Sequence, residues 1–183
     1  MDYTTPYRVL NKAGVTKTSV NAVSDLHNVS NTYYTPERNV LEEGLVKIDA
    51  DGIATEVEPT NVGLNSFTFP AALQSTDQLE YHWSEFRSID VEAVICDAEG
   101  YITTKLTGFD ATKTPTLERI ATWLAAGYLM TRDYGYVTPD NDFKLAGEAI
   151  IKKGEEWLKY ELKRQMMDNT YRIGEVIVVS DED

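Results

Sequence analysis

The spacing of apolar residues along this chain switches from helical to alternating and back again, and the switches divide it into blocks. Thr4 or Thr5 followed by Pro6 is a cap-then-proline opening for a short helix, with Tyr7, Val9 and Leu10 available for burial and Gly14 as its stop. Ser19 can then cap a second helix carrying Val20, Val23, Leu26 or His27, and Ser30 or Tyr34 at three-to-four spacing. From Val40 the period shortens to two. Leu45, Val46 and Ile48, then Asp49-Ala50-Asp51-Gly52, then Ile53, Thr55 and Val57 read as strand, turn, strand. The same pattern recurs where Asp97-Ala98-Glu99-Gly100 joins Val91, Ala93 and Ile95 to Tyr101 and Thr103. Segments 63–73 and 79–86 supply one or two further strands, the first ended by Pro70.

Helical spacing returns at Thr114-Pro115. Leu117, Ile120, Ala121, Leu124 and Tyr128 predict a helix that ends at Gly135, and a polar turn with Asp140 or Asn141 as cap leads into a longer helix over 142–167. That second helix is roughly 39 Å long at about 1.5 Å per residue. The pair forms an antiparallel hairpin, with Trp123 and Trp157 among its packing residues. Gly127 lies about as far before the turn as Gly147 lies after it, so the two can face each other and let the backbones approach, or each can be a tolerated weak spot. The last apolar run, Ile173 to Val179, is β-prone and has no later strand to pair with, so it reads as an extended arm seeking a sheet edge in this chain or in another protein. The whole predicts an α+β protein: a helical core over 1–38 and 111–170, a β-rich insertion of four to six strands over 39–110, and an arm over 171–183.

Charge sharpens this division. The 183 residues carry 17 basic and 30 acidic side chains, a net −13. Residues 39–110 hold fourteen acids against Lys47, Arg87 and Lys105, while 150–172 are net +2. An acidic chain repels phosphate, so a simple nucleic-acid binder is disfavoured. The localised acidity points to an acidic surface that includes Asp49, Asp51, Glu56, Glu58, Asp97 and Glu99, although turn-rich β segments also collect such residues. Hydrophobic residues at 42% suit a chain that buries a core. With no apolar run of about 18 residues and no signal-peptide pattern, a soluble protein without a membrane partner is expected.

Specific chemistry finds few anchors. One cysteine, Cys96, and two histidines, His27 and His82, make neither a disulfide framework nor a structural zinc site. An EF-hand loop spreads its ligands over about twelve residues and ends on a bidentate acid, and Asp49, Asp51, Glu56 and Glu58 fall at the wrong intervals for it. No GxSxG, Walker A or GxGxxG pattern occurs. The expectation is no enzyme, no cofactor and no metal. The enzymatic alternative is an acidic hydrolase, which needs several of Asp49, Asp51, Asp97 and Glu99 to converge. Lys152, Lys153, Lys159, Lys163 and Arg164 alternate with Glu155, Glu156 and Glu161, which reads mainly as a solvated helix face with ion pairs and secondarily as a surface for DNA.

The order of elements resembles the head-to-tail connector adaptor (head completion) proteins of tailed viruses. The stretch TPTLERIATWLAAGYLMTRDYGYVTPDNDFKLAGEAIIKKGEEWLKYEL, residues 114–162, is similar to their alanine-rich helix, short polar turn and second helix. The opening TTPYRVLNKAGV is similar to the short helix and Gly-hydrophobic step with which they begin. The resemblance implies a virion protein assembled in the host cytoplasm into a homo-oligomeric ring, usually of about twelve copies, between the portal and the tail or the next connector ring. It also implies that DNA passes through the lumen without specific binding, and that the arm docks on the portal or a neighbour through Tyr171, Ile173, Val176, Ile177, Val178 and Val179. A capsid decoration or tail-completion protein is the structural alternative.

Overall fold

Of the two helices expected at the N-terminus, only the first forms. In the computed structural model, which describes residues 3–112, 114–137 and 140–178 and side chains as far as Asp168, α1 spans Pro6–Ala13. It buries Val9, Leu10 and Ala13 and is stopped by Gly14 at φ +73°. Ser19 caps nothing. It lies inside β1 (Lys17–Ala22), which a single 3₁₀ turn, Val23–Asp25, separates from β2 (His27–Val29) and β3 (Thr32–Tyr34). Ser30 and Asn31 both have positive φ, 52° and 63°, the geometry that a two-residue hairpin turn demands. Val and Thr, stiff at χ1, prefer this pleated setting to a helix.

Five more strands follow within 39–110, in line with the four to six expected there, and bring the number among the described residues to eight: β4 (Val46–Ile48), β5 (Ala54–Glu56), β6 (Asn61–Val62), β7 (Ser66–Thr68) and β8 (Gln78–Trp83). They form two antiparallel four-stranded sheets, ordered β1-β8-β4-β5 and β2-β3-β7-β6. The Asp49–Gly52 turn joins β4 to β5 in the register Val46 to Glu56, with Gly52 at φ +79°. Tyr33 and Phe67 from one sheet and Leu79 and Tyr81 from the other share a core, and the Phe67 and Tyr81 rings lie 5.6 Å apart.

The second expected hairpin is instead a helix, α2 (Ser88–Lys105). Val91, Val94, Ala98 and Ile102, with Leu106 just past its end, are buried at a spacing of three or four, and that stripe outweighs the two-residue alternation of Val91, Ala93 and Ile95. Gly100 is therefore a helical residue with no positive φ. Next comes α3 (Pro115–Thr131), opened by Thr114, whose side-chain oxygen accepts the Leu117 N–H at 3.2 Å. It is buried on nearly every side, from Leu117 and Ile120 through Ala125, Ala126 and Leu129.

The last helix, α4, spans Asn141–Val178, 38 residues or about 57 Å against about 26 Å for α3. The extended arm is thus corrected: Tyr171, Ile173, Val176, Ile177 and Val178 lie on a helix, and Val179 lies outside the described residues. A strand needs a neighbour to satisfy its backbone, whereas a helix satisfies its own. Among the described residues no helix is long and apolar enough to cross a membrane.

The chain divides into two compact units. A β unit comprises Pro6–Glu92 and Tyr134–Val137, and a helical unit takes the remainder, with α2 crossing from the first to the second between Glu92 and Ala93. Residues 6–38 thus belong with the sheets and 93–110 with the helices.

Candidate functional site

In the β unit, two acidic runs on either side of the β4–β5 hairpin meet at one cleft of about 610 Å³, lined by Tyr7, Glu42, Glu43, Gly44, Glu56, Val57, Glu58 and Pro59. Leu41 and Leu45 are buried, so the residues between them are turned outward as Glu42 and Glu43. The Val57 N–H donates to the Leu45 carbonyl at 3.0 Å and holds the second run beside the first. Val57 packs against the core, which leaves Glu56 and Glu58, its neighbours on either side, on the opposite face of the extended chain. Gly44 is required twice over: its φ is +77°, and a Cβ there would stand 2.6 Å from His82 Cδ2.

None of these four glutamates has an ion-pair partner among the described residues. The nearest imidazole offers them no charge. His82 shares a hydrogen bond of 2.9 Å between Nδ1 and Thr18 Oγ1 and lies 5.2 Å from the Tyr7 ring. Burial holds its pKa below the ordinary 6.5 against the opposing pull of Glu80, so it is neutral at pH 7. Among the described residues no three His, Cys, Asp or Glu side chains are placed to hold a metal ion.

The other expected acids are put to structural use. Asp49 Oδ1 accepts the N–H groups of Asp51 at 3.0 Å and Ile53 at 2.9 Å, which builds the β4–β5 turn and leaves Asp51 exposed at its tip. Asp97 forms an ion pair with Arg132 on the surface of the helical unit. Glu99 accepts the Tyr3 N–H at 2.5 Å. Two residues apart on α2, Asp97 and Glu99 point to different sides of the helix.

In the helical unit, α3 and α4 meet where a Cβ on Gly127 would stand 2.5 Å from Ile151 Cγ1 and 2.8 Å from the Gly147 carbonyl oxygen. A Cβ on Gly147 would meet Met130 Cβ at 2.8 Å. The two glycines therefore face each other with no room for a side chain. Further along the pair, Trp123 and Trp157 make an edge-on contact, centroids 6.0 Å apart at 83°. Lys153 Nζ sits 4.8 Å from the Trp123 ring centre and the Arg119 guanidinium 5.7 Å from that of Trp157. At the far end Gln165 clamps the loop before α3: its Oε1 accepts the Asp110 N–H and its Nε2 donates to the Asp110 carbonyl, both at 3.0 Å. The same Nε2 donates to Glu161, a buried carboxylate that Arg164 contacts at 2.6 Å and holds below the usual glutamate range.

Sequence reasoning singled out Glu56 and Glu58 but passed over Glu42 and Glu43 and took Tyr7 as a residue for burial, whereas it lines the cleft. The signal was a pair of acidic runs flanking one hairpin, since antiparallel pairing of β4 with β5 carries the ends of both to one place. It weighed Lys153 as part of a solvated basic face, secondarily a surface for DNA, and gave Arg119 and Tyr160 no role. No family model, no curated protein and no solved structure matches this chain.

Proposed function

We propose that the protein is a structural adaptor of a virion neck: a homo-oligomeric ring between the portal and the tail, or the next connector ring, with DNA passing through its lumen. The observation that carries this reading is the mismatch in length between α3 and α4. With Gly147 opposite Gly127 and Gln165 level with the loop before α3, the remainder of α4 runs on past the start of its partner. The overhang bears Tyr171, Ile173, Val176, Ile177 and Val178, an apolar sequence on a helix rather than on a strand. Docking on the portal is then the seating of a helix in a groove, not the addition of a strand to a sheet. The unpaired glutamates of the β unit fit the same role, because a channel wall that repels phosphate lets DNA slide where a basic wall would hold it.

A hydrolase gains little support from the carboxylates, since Asp49 caps a turn, Asp97 is ion-paired, and Glu99 is hydrogen-bonded to backbone. The capsid decoration or tail-completion alternative would use the β unit as its binding module, and the position of the protein in a virion reconstruction separates the two. The direct test mixes the purified chain with portal rings and weighs the products by mass photometry. Assembly is expected with the full chain and is lost when residues 171–183 are deleted, while the deleted protein melts at the same temperature as the full chain. Full chain that stays apart from portal, or deleted protein that assembles as well, ends this reading.

A further inference from the structure

Arg119, Trp123, Lys153, Trp157 and Tyr160 form one face of the α3–α4 pair. On α4, residues 153, 157, 160 and 164 follow one another by three or four positions, so they share one side of the helix. Tyr160 is 72% exposed and Trp157 37%. Arg119 and Lys153 lie over tryptophan rings and form no ion pair among the described residues, whereas Arg164 is already matched by Glu161 and Asp168. Exposed Trp and Tyr beside unneutralised cations are the residue types that dominate the energetics of protein interfaces. The β unit carries the complementary deficit: four glutamates around an open cleft, with no cation among its lining residues.

We propose that this aromatic and cationic face docks into the Glu42–Glu43–Glu56–Glu58 cleft of a second copy of the chain. The inference rests on the ring reading above and names the contact by which neighbours join. Face and cleft are different surfaces, so the contact is head-to-tail, leaves each copy with one face and one cleft to offer, and closes into a ring when the rotation between copies divides a full turn. The cations meet carboxylates that have no ion-pair partner among the described residues of their own chain, and the aromatic rings leave water. A duplex nucleic acid is the lesser occupant, because the net −13 opposes its approach.

The test uses charge reversal in the full-length chain, followed by sedimentation velocity over a range of concentration and salt. One variant carries Arg119→Glu and Lys153→Glu, the other Glu56→Lys and Glu58→Lys. Wild-type chain is expected to self-associate less as salt rises, and each variant alone to associate about tenfold or more weakly. In an equimolar mixture both kinds of contact are again complementary, so association returns, which two misfolded proteins could not do. Several outcomes overturn the proposal: wild type monomeric throughout, association indifferent to salt, either variant associating like wild type, a mixture that stays apart although each variant melts normally, or duplex DNA displacing self-association through Arg119 and Lys153. Wild type that assembles on portal yet tolerates both reversals removes this contact and leaves the adaptor role standing. Recovery in the mixture without portal assembly does the reverse.

Discussion

A glycine in a helix usually costs stability, yet Gly127 is expected to be worth keeping. Replacing an exposed helical glycine by alanine gains about 1 kcal/mol. At Gly127 the added methyl would press on Ile151 and on the Gly147 carbonyl, both closer than real contacts allow, and the backbones must separate. Gly127→Ala is therefore expected to destabilise by about 1–3 kcal/mol, the range for overpacked cores, in urea denaturation. A stabilised variant would show that the two backbones do not meet. The sequence offered this contact as one of two readings, because two glycines equidistant from a turn can come level in an antiparallel pair, and the close approach decides for it. Glu161 was ambiguous: the helical spacing puts it or Leu162 on the packing side, while its run of lysines reads as solvated, and the Gln165 amide that bonds both Glu161 and the loop at Asp110, more than fifty residues away, is not visible in a short window.

At the scale of the element, two nearly identical tetrapeptides, Asp49-Ala50-Asp51-Gly52 and Asp97-Ala98-Glu99-Gly100, have opposite fates. The first is a turn and the second the middle of α2. The four residues do not decide this; their flanks do. Val91, Val94, Ala98, Ile102 and Leu106 bury one helical stripe that runs through the second tetrapeptide, and nothing comparable runs through the first. The same competition undid the expected helix at Ser19, where a turn at Ser30 and Asn31 pairs β2 with β3. Such choices rest on long-range burial that a short window does not contain, whereas α3 and the Asp49–Gly52 turn, set by local caps and turn chemistry, were legible. The matched substitutions Gly52→Ala and Gly100→Ala should move stability in opposite directions. Gly52 stands at φ +79°, where a side chain costs about 1–2 kcal/mol. Gly100 has open space around its Cβ and a helical backbone, so alanine gains up to about 1 kcal/mol. Chemical denaturation of the pair checks both signs, and shifts in the same direction would contradict these assignments.

For the whole molecule, the structure redistributes the charge that the sequence seemed to concentrate. The β unit holds thirteen acids and six bases and the helical unit seventeen and eleven, so the two carry −7 and −6. The strongly acidic middle third was partly an effect of grouping α2 with the strands. What distinguishes the units is placement: four glutamates without an ion-pair partner among the described residues gather at one cleft, and cations gather on one helical face. Each unit also contains a group that weakens it in acid. His82 is kept neutral by burial, so its contribution is complete above the ordinary imidazole value of 6.5 and falls as pH drops toward its lower folded value. Glu161 is kept ionised by Arg164, so its contribution is complete above 4.5 and is lost as pH falls through its own depressed value. The melting temperature should thus decline on the acid side in two stages. His82→Gln should flatten the upper stage and Glu161→Gln the lower, as scanning calorimetry between about pH 7 and pH 3 would show.

The unbroken course of α4 also has a mechanical consequence. From Gln165, which bonds the loop before α3, to Val178 is about 20 Å of continuous helix. It is a short lever whose fulcrum is that amide clamp. A tilt of about 5° there swings the far tip through only about 2 Å, less than half of one helical turn. The tolerance of whatever grips the tip is consequently set by the clamp at Gln165, while the glycine crossing at the opposite end of the rod holds the rest of the helix in line.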